Sequence, residues 1–166
     1  MVIEDVHQTL LRAPADADRG IHRVLVAFDG SHGAWAALER AIDVAVANRA
    51  LLTIAAVAEE PLALWMGLGA MSVPYTRETI RLQAESAMRR HLAEARDEVP
   101  ATVSVTTRLL NGRPARVLAA LAEEGGYDLV VTGPRPVGRL RRLLRHSVTH
   151  ALLSRTHTSV LAVKAP

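Results

Sequence analysis

Hydrophobic and polar positions follow two periods along this chain, and each change of period marks an element. Residues 24–28 are a continuous apolar run, as expected of a strand covered on both faces. Asp29-Gly30-Ser31-His32-Gly33 interrupts it. Residues 34–48 carry Trp35, Leu38, Ile42 and Ala45 at helical spacing, and Ser31 or Asp29 can cap that helix. Residues 51–57 predict a second strand. Residues 79–99 predict a long amphipathic helix, with Ile80, Ala84, Met88, Leu92 and Ala95 inside and Pro100 ending it. Residues 102–108 alternate as a strand does. Asn111-Gly112-Arg113-Pro114 predicts a turn into a helix that buries Val117, Leu118 and Leu121 and stops at Gly125-Gly126. Residues 129–132 and 160–163 predict two further strands around a helix over residues 146–154.

Strands and helices therefore alternate from beginning to end, with no internal repeat. That order implies an α/β fold: one doubly wound, Rossmann-like parallel sheet of five strands, right-handed crossovers and helices on both faces. In such sheets ligands bind beyond the carboxyl ends of the strands, where the winding reverses. Here the reversal falls between the first and fourth strands. It brings Asp29, Gly133 and the helix beginning near Ser147 together.

Two segments do not follow the pattern. Residues 1–20 lack periodicity and carry Pro14 and Gly20, which predicts a flexible tail ahead of a domain over residues 21–166. The connection over residues 58–76 is apolar, with Leu62, Leu64, Trp65, Met66, Leu68 and Met71. It folds over the sheet as core, or it forms a lid or partner surface.

Composition narrows the function. The 166 residues suffice for one domain with a real core. No apolar run reaches the roughly 20 residues that cross a bilayer. The start of the chain lacks the basic and apolar regions of a signal peptide, so a cytoplasmic location is expected. The absence of cysteine excludes disulfides and thiolate metal sites. The net charge of +3 is less telling than its distribution. Arg135, Arg139, Arg141, Arg142 and Arg145 fall in one short segment after the fourth strand. They form a solvated face or an anion site.

Other chemistries fit poorly. His146 and His150 share a helix face, but no third ligand accompanies them, so no metal site is read. A response-regulator receiver needs an aspartate ending the third strand, which here ends at Thr107-Arg108. Aromatic residues are 3%, too few for a flavin sandwich or a nucleic-acid surface, so nucleic acid is not an expected partner. The nucleophile elbow of a hydrolase is absent. No catalytic residue is assigned.

Val24-Leu-Val-Ala-Phe-Asp29-Gly-Ser31, Asn111-Gly-Arg-Pro114, Tyr127-Asp-Leu-Val-Val-Thr-Gly133 and Ser147-Val-Thr-His-Ala-Leu-Leu153 with Thr158-Ser-Val-Leu-Ala-Val163 lie in order. Together they resemble the universal stress protein family, from about Arg23 to Lys164. The resemblance implies strand order 3-2-1-4-5, the adenine nucleotide alpha hydrolase-like arrangement. It also implies a homodimer paired through the last strand, Thr158 to Val163. By resemblance, Asp29 contacts the ribose or adenine side of an adenine nucleotide such as ATP. The backbone of Val57 reads adenine. Thr132, Gly133, Ser147 and Val148 line the phosphates, with Arg135 and His146 as further phosphate contacts. Any metal would be Mg carried by the nucleotide.

The family's ATP-binding members carry Gly-x2-Gly-x9-Gly-Ser/Thr after the fourth strand. Laid on this chain, the glycines fall on Gly133, Pro136 and His146, and the hydroxyl on Ser147. Proline has no N–H to offer a phosphate, and histidine adds a ring where the chain should be bare. The resemblance so qualified implies a stress-response regulator acting by ligand sensing or protein contact, with weak or absent ATP binding. The alternatives are an ATP-binding member with slow hydrolysis, and a purely dimeric interaction protein with an unknown partner.

Overall fold

The computed structural model describes residues 20–58, 77–134 and 148–164. Among them the order is β1 (Arg23–Ala27), α1 (His32–Asn48), β2 (Leu51–Ala58), α2 (Arg77–Asp97), β3 (Val105–Asn111), α3 (Pro114–Glu124), β4 (Leu129–Thr132), α4 (Val148–Arg155) and β5 (Ser159–Ala162). The five strands form one sheet in the order β3-β2-β1-β4-β5, and every neighbouring pair is parallel. The expected strand order is therefore the observed one.

Each face of the sheet has its own core. On one face α1 and α2 cover Val24, Val26, Leu52, Ile54 and Val131. On the other, α3 and α4 cover Leu25, Ala55 and Val130. Alternation explains the division, because successive residues of a strand point to opposite faces. Val24, Leu25 and Val26 are all fully buried for that reason. The α1 helix presents a face of small residues, Gly33, Ala34, Ala37, Ala41 and Ala45, all buried. Small side chains let its axis approach the sheet closely. At the top of β1, Phe28 meets Trp35 edge-on, with ring centroids 4.9 Å apart.

The third strand differs from expectation. It runs Val105–Asn111 and ends at Asn111, not at Thr107-Arg108. Pro100 to Val103 is taken up by a turn, closed by the Val103 N–H donating to the Pro100 carbonyl. The strand then follows its longer neighbour, pairing from Leu52↔Val105 to Ala58↔Asn111. Leu109 packs in one core and Leu110 in the other. No aspartate stands at the corrected end, so the receiver chemistry remains without its acceptor. The other shifts are small: α2 begins at Arg77 and ends at Asp97, and β5 spans Ser159–Ala162. The predicted tail, the apolar connection beyond Ala58 and the arginine-rich segment lie outside the described residues, apart from Gly20.

Candidate functional site

The reversal of winding lies between β1 and β4, which pair with Val24↔Leu129 through Val26↔Val131. Just past their ends stand Asp29 and Gly133, as the sequence pattern required. The turn leaving β1 is held in two ways. The Ser31 N–H donates to Asp29 Oδ1 at 3.1 Å, and Ser31 Oγ accepts from the Ala34 N–H at 3.2 Å. Ser31 is thus the cap of α1, and Asp29 braces the turn that presents it. Gly30 has φ +75°, a conformation that glycine adopts without strain.

At the end of β4 the backbone of α1 comes unusually close. A Cβ on Gly133 would overlap the Gly33 carbonyl, and a Cβ on Gly33 would overlap the Pro134 carbonyl oxygen. The first turn of α1 and the exit of β4 are therefore pressed together, glycine against glycine. Gly33 was not among the residues expected at the site. A glycine in a helix's first turns, where it costs roughly 1 kcal/mol against alanine, was the available signal.

Thr132 is 3% exposed, and its hydroxyl lies 2.9 Å from that of Thr149 on α4. This contact ties the end of β4 to the first turn of the last helix. Val148 opens α4, and its side chain packs against the Leu25 and Val130 core. Val57 also packs on that side. Its backbone is the part turned toward the site. The Phe28 N–H donates to the Ala55 carbonyl at 2.8 Å. In a parallel strand the amide two residues on faces the same way, so Val57 points past the end of β1. Ser147, Arg135 and His146 lie outside the described residues.

One more side chain reaches this turn. The His91 ring of α2 packs on Gly30 so closely that a Cβ there would stand 2.9 Å from three of its atoms. His91 Nδ1 lies 3.3 Å from Glu94 Oε2. No pattern in the sequence marks His91, which stands beside Leu92 of the apolar stripe, and only the tertiary packing brings it to Gly30. Among the described residues, no group of three or more histidine or carboxylate side chains is placed to hold a metal ion.

The site therefore lies at the carboxyl ends of β1, β2 and β4, in a doubly wound α/β protein. It is framed by a capped helix N-terminus, a carboxylate and a glycine contact. The universal stress protein family model matches residues 20–164, and the chain belongs to that family. Universal stress protein YxiE of Bacillus subtilis is 30% identical over 146 residues, covering 86% of this chain and 99% of that protein. Among solved structures, a universal stress protein in complex with cAMP is 27% identical, with a TM-score of 0.64. It covers 89% of this chain and 99% of that one. The structure of protein MJ0577 shares the fold at 18% identity, with a TM-score of 0.70, covering 88% of this chain and 97% of that one. Among the described residues no helix is long and apolar enough to cross a membrane.

Proposed function

We propose that this protein is a stress-response regulator that senses a small ligand or a protein partner, and that it binds ATP weakly or not at all. What supports this reading is a group of residues at the strand ends, followed by a sequence that departs from the family's phosphate-loop pattern. Asp29, the Val57 backbone, Thr132 and Gly133 stand at the strand ends where a nucleoside would lie. Beyond Gly133, proline replaces one loop glycine at position 136 and histidine another at 146. A phosphate there loses one backbone donor and meets an added side chain. The arginines that follow in the sequence, Arg135, Arg139, Arg141, Arg142 and Arg145, add positive charge, which does not replace a missing backbone donor.

A ligand with a single phosphate asks less of that loop than a triphosphate does. A 27% identical relative solved with cAMP supports this ordering. We place the subunits as a homodimer joined through β5, whose outer edge has no strand partner among the described residues. Calorimetry with ATP, ADP, AMP and cAMP tests the reading. Monophosphates are expected to bind at least as well as ATP. Pro136→Gly with His146→Gly should then raise ATP affinity more than AMP affinity. Low-micromolar ATP binding by the parent protein, abolished by Asp29→Ala, would refute the proposal and favour the ATP-binding alternative.

A further inference from the structure

The edge of the sheet opposite β5 carries a second surface, independent of the site at the carboxyl ends of β1 and β4. Among the described residues β3 pairs only with β2, through all seven of its residues, and its other side has no strand partner; Thr106, Thr107 and Arg108 are exposed. Two hydrogen bonds fix which main-chain groups face outward. The Leu52 N–H donates to the Ser104 carbonyl, and the Gly112 N–H to the Ala58 carbonyl. Even-numbered residues of this strand therefore turn their amides to β2. By alternation, Val105, Thr107 and Leu109 turn theirs outward.

The side chains of Thr107 and Leu109 line a groove of about 540 Å³ between this edge and α2. Leu92 and Ala93 lie on its helix side, with Arg89, Arg96 and Asp97. Arg89 and Arg96 are both exposed, and neither takes part in an ion pair among the described residues. The groove thus combines backbone donors and acceptors that have no strand partner among the described residues, the apolar surface of Ala93 and Leu109, and one net positive charge. Seven residues along a helix separate the two arginines by about 10 Å. In an extended chain, carboxylates two and four residues apart are separated by about 7 and 13 Å, which brackets that spacing.

We propose that this groove binds an extended, acidic segment of a partner protein, which adds to the sheet as a sixth strand beside β3. Main-chain hydrogen bonds to residues 105, 107 and 109 hold its backbone. Arg89 and Arg96 select its carboxylates. An added strand points alternate side chains toward α2, where these arginines stand.

The test uses a fluorescein-labelled peptide of alternating valine and glutamate, blocked at both ends, read by anisotropy on the full chain. Its lysine-for-glutamate counterpart is the control. The acidic peptide is expected to bind and the basic one not. Arg89→Glu with Arg96→Glu should weaken binding at least about tenfold. Thr107→Pro removes an outward N–H without touching the β2 ladder, a position where edge strands tolerate proline. It should abolish binding, whereas Thr107→Val, which keeps the N–H, should not. Circular dichroism confirms that each variant is folded, and the arginine pair stands alone as a test if Thr107→Pro is not. Equal binding of both peptides would overturn the proposal, as would no binding at about 1 mM or unchanged affinity in the arginine variant. A change of oligomeric state in Thr107→Pro alone would assign the edge to a second copy of the chain and equally overturn it.

Discussion

Replacing Gly133 by alanine tests the closest contact in the candidate site. The new Cβ would overlap the carbonyl carbon and oxygen of Gly33 and approach the Ala34 nitrogen at 3.1 Å. These are backbone atoms of a capped helix turn, so no side-chain rotation relieves the overlap. Either α1 slides away from β4 or β4 bends. Both movements disturb Ala34, which is 4% exposed. Overpacking of this kind costs about 1–3 kcal/mol, and a rigid backbone neighbour puts this case at the upper end. Removing a glycine also stiffens the unfolded chain, which returns up to about 1 kcal/mol. A net loss of roughly 2 kcal/mol is expected, or a fall of about 4–8 °C in melting temperature for a domain of this size. Gly126→Ala serves as a comparison. That residue has φ +60°, and its nearest neighbour, on the Arg23 side chain, would stand 3.7 Å from the new Cβ. It should lose only the left-handed penalty of about 1–2 kcal/mol. Paired urea and thermal melts measure both. A Gly133→Ala protein as stable as the parent would show that α1 and β4 do not press together, and the proposed framing of the site would fall with it.

Three further outcomes are expected. Val160→Lys, a half-buried position on β5, should shift the protein toward monomer in light scattering; a parent protein that is monomeric at every concentration would exclude the β5 dimer. A chain beginning at Ile21 should melt within a few degrees of the full chain, and a large loss would show that residues 1–20 dock on the domain. The third outcome concerns pH. Glu123 accepts from both the His157 N–H and its ring, at 3.0 and 2.9 Å. The hydrogen bond that the His157 ring donates to Glu123 raises the His157 pKa above 6.5, and the same bond lowers that of Glu123 below 4.5. The histidine contribution is full below its unfolded pKa and fades as pH rises through the folded one. The glutamate contribution is full above its unfolded pKa and fades as pH falls through the folded one. His157→Ala should therefore destabilise most between about pH 4.5 and 6.5, and less once the pH has risen through the raised pKa of the folded-state histidine. Both groups are exposed, so the difference is small, and a melting difference that is flat across that range would contradict the pairing.

Element order, handed winding and the place of the site at the strand ends are legible in the sequence. The apolar run at Val24–Val26 and the helical spacing from Trp35 to Ala45 are local patterns, and a parallel sheet follows from their alternation. Asp29 and Gly133 were legible for the same reason, because strand ends are marked by where apolar runs stop. Tertiary structure alone decided the rest. β3 extends to Asn111 because β2 offers eight residues to pair with, which no pattern within residues 102–111 reveals. Gly33 faces Gly133, His91 leans on Gly30, and Thr149 meets Thr132 through contacts between distant segments. Single residues in such contacts carry no periodic signal, because their partners are fixed by how whole elements pack and not by their neighbours in the chain.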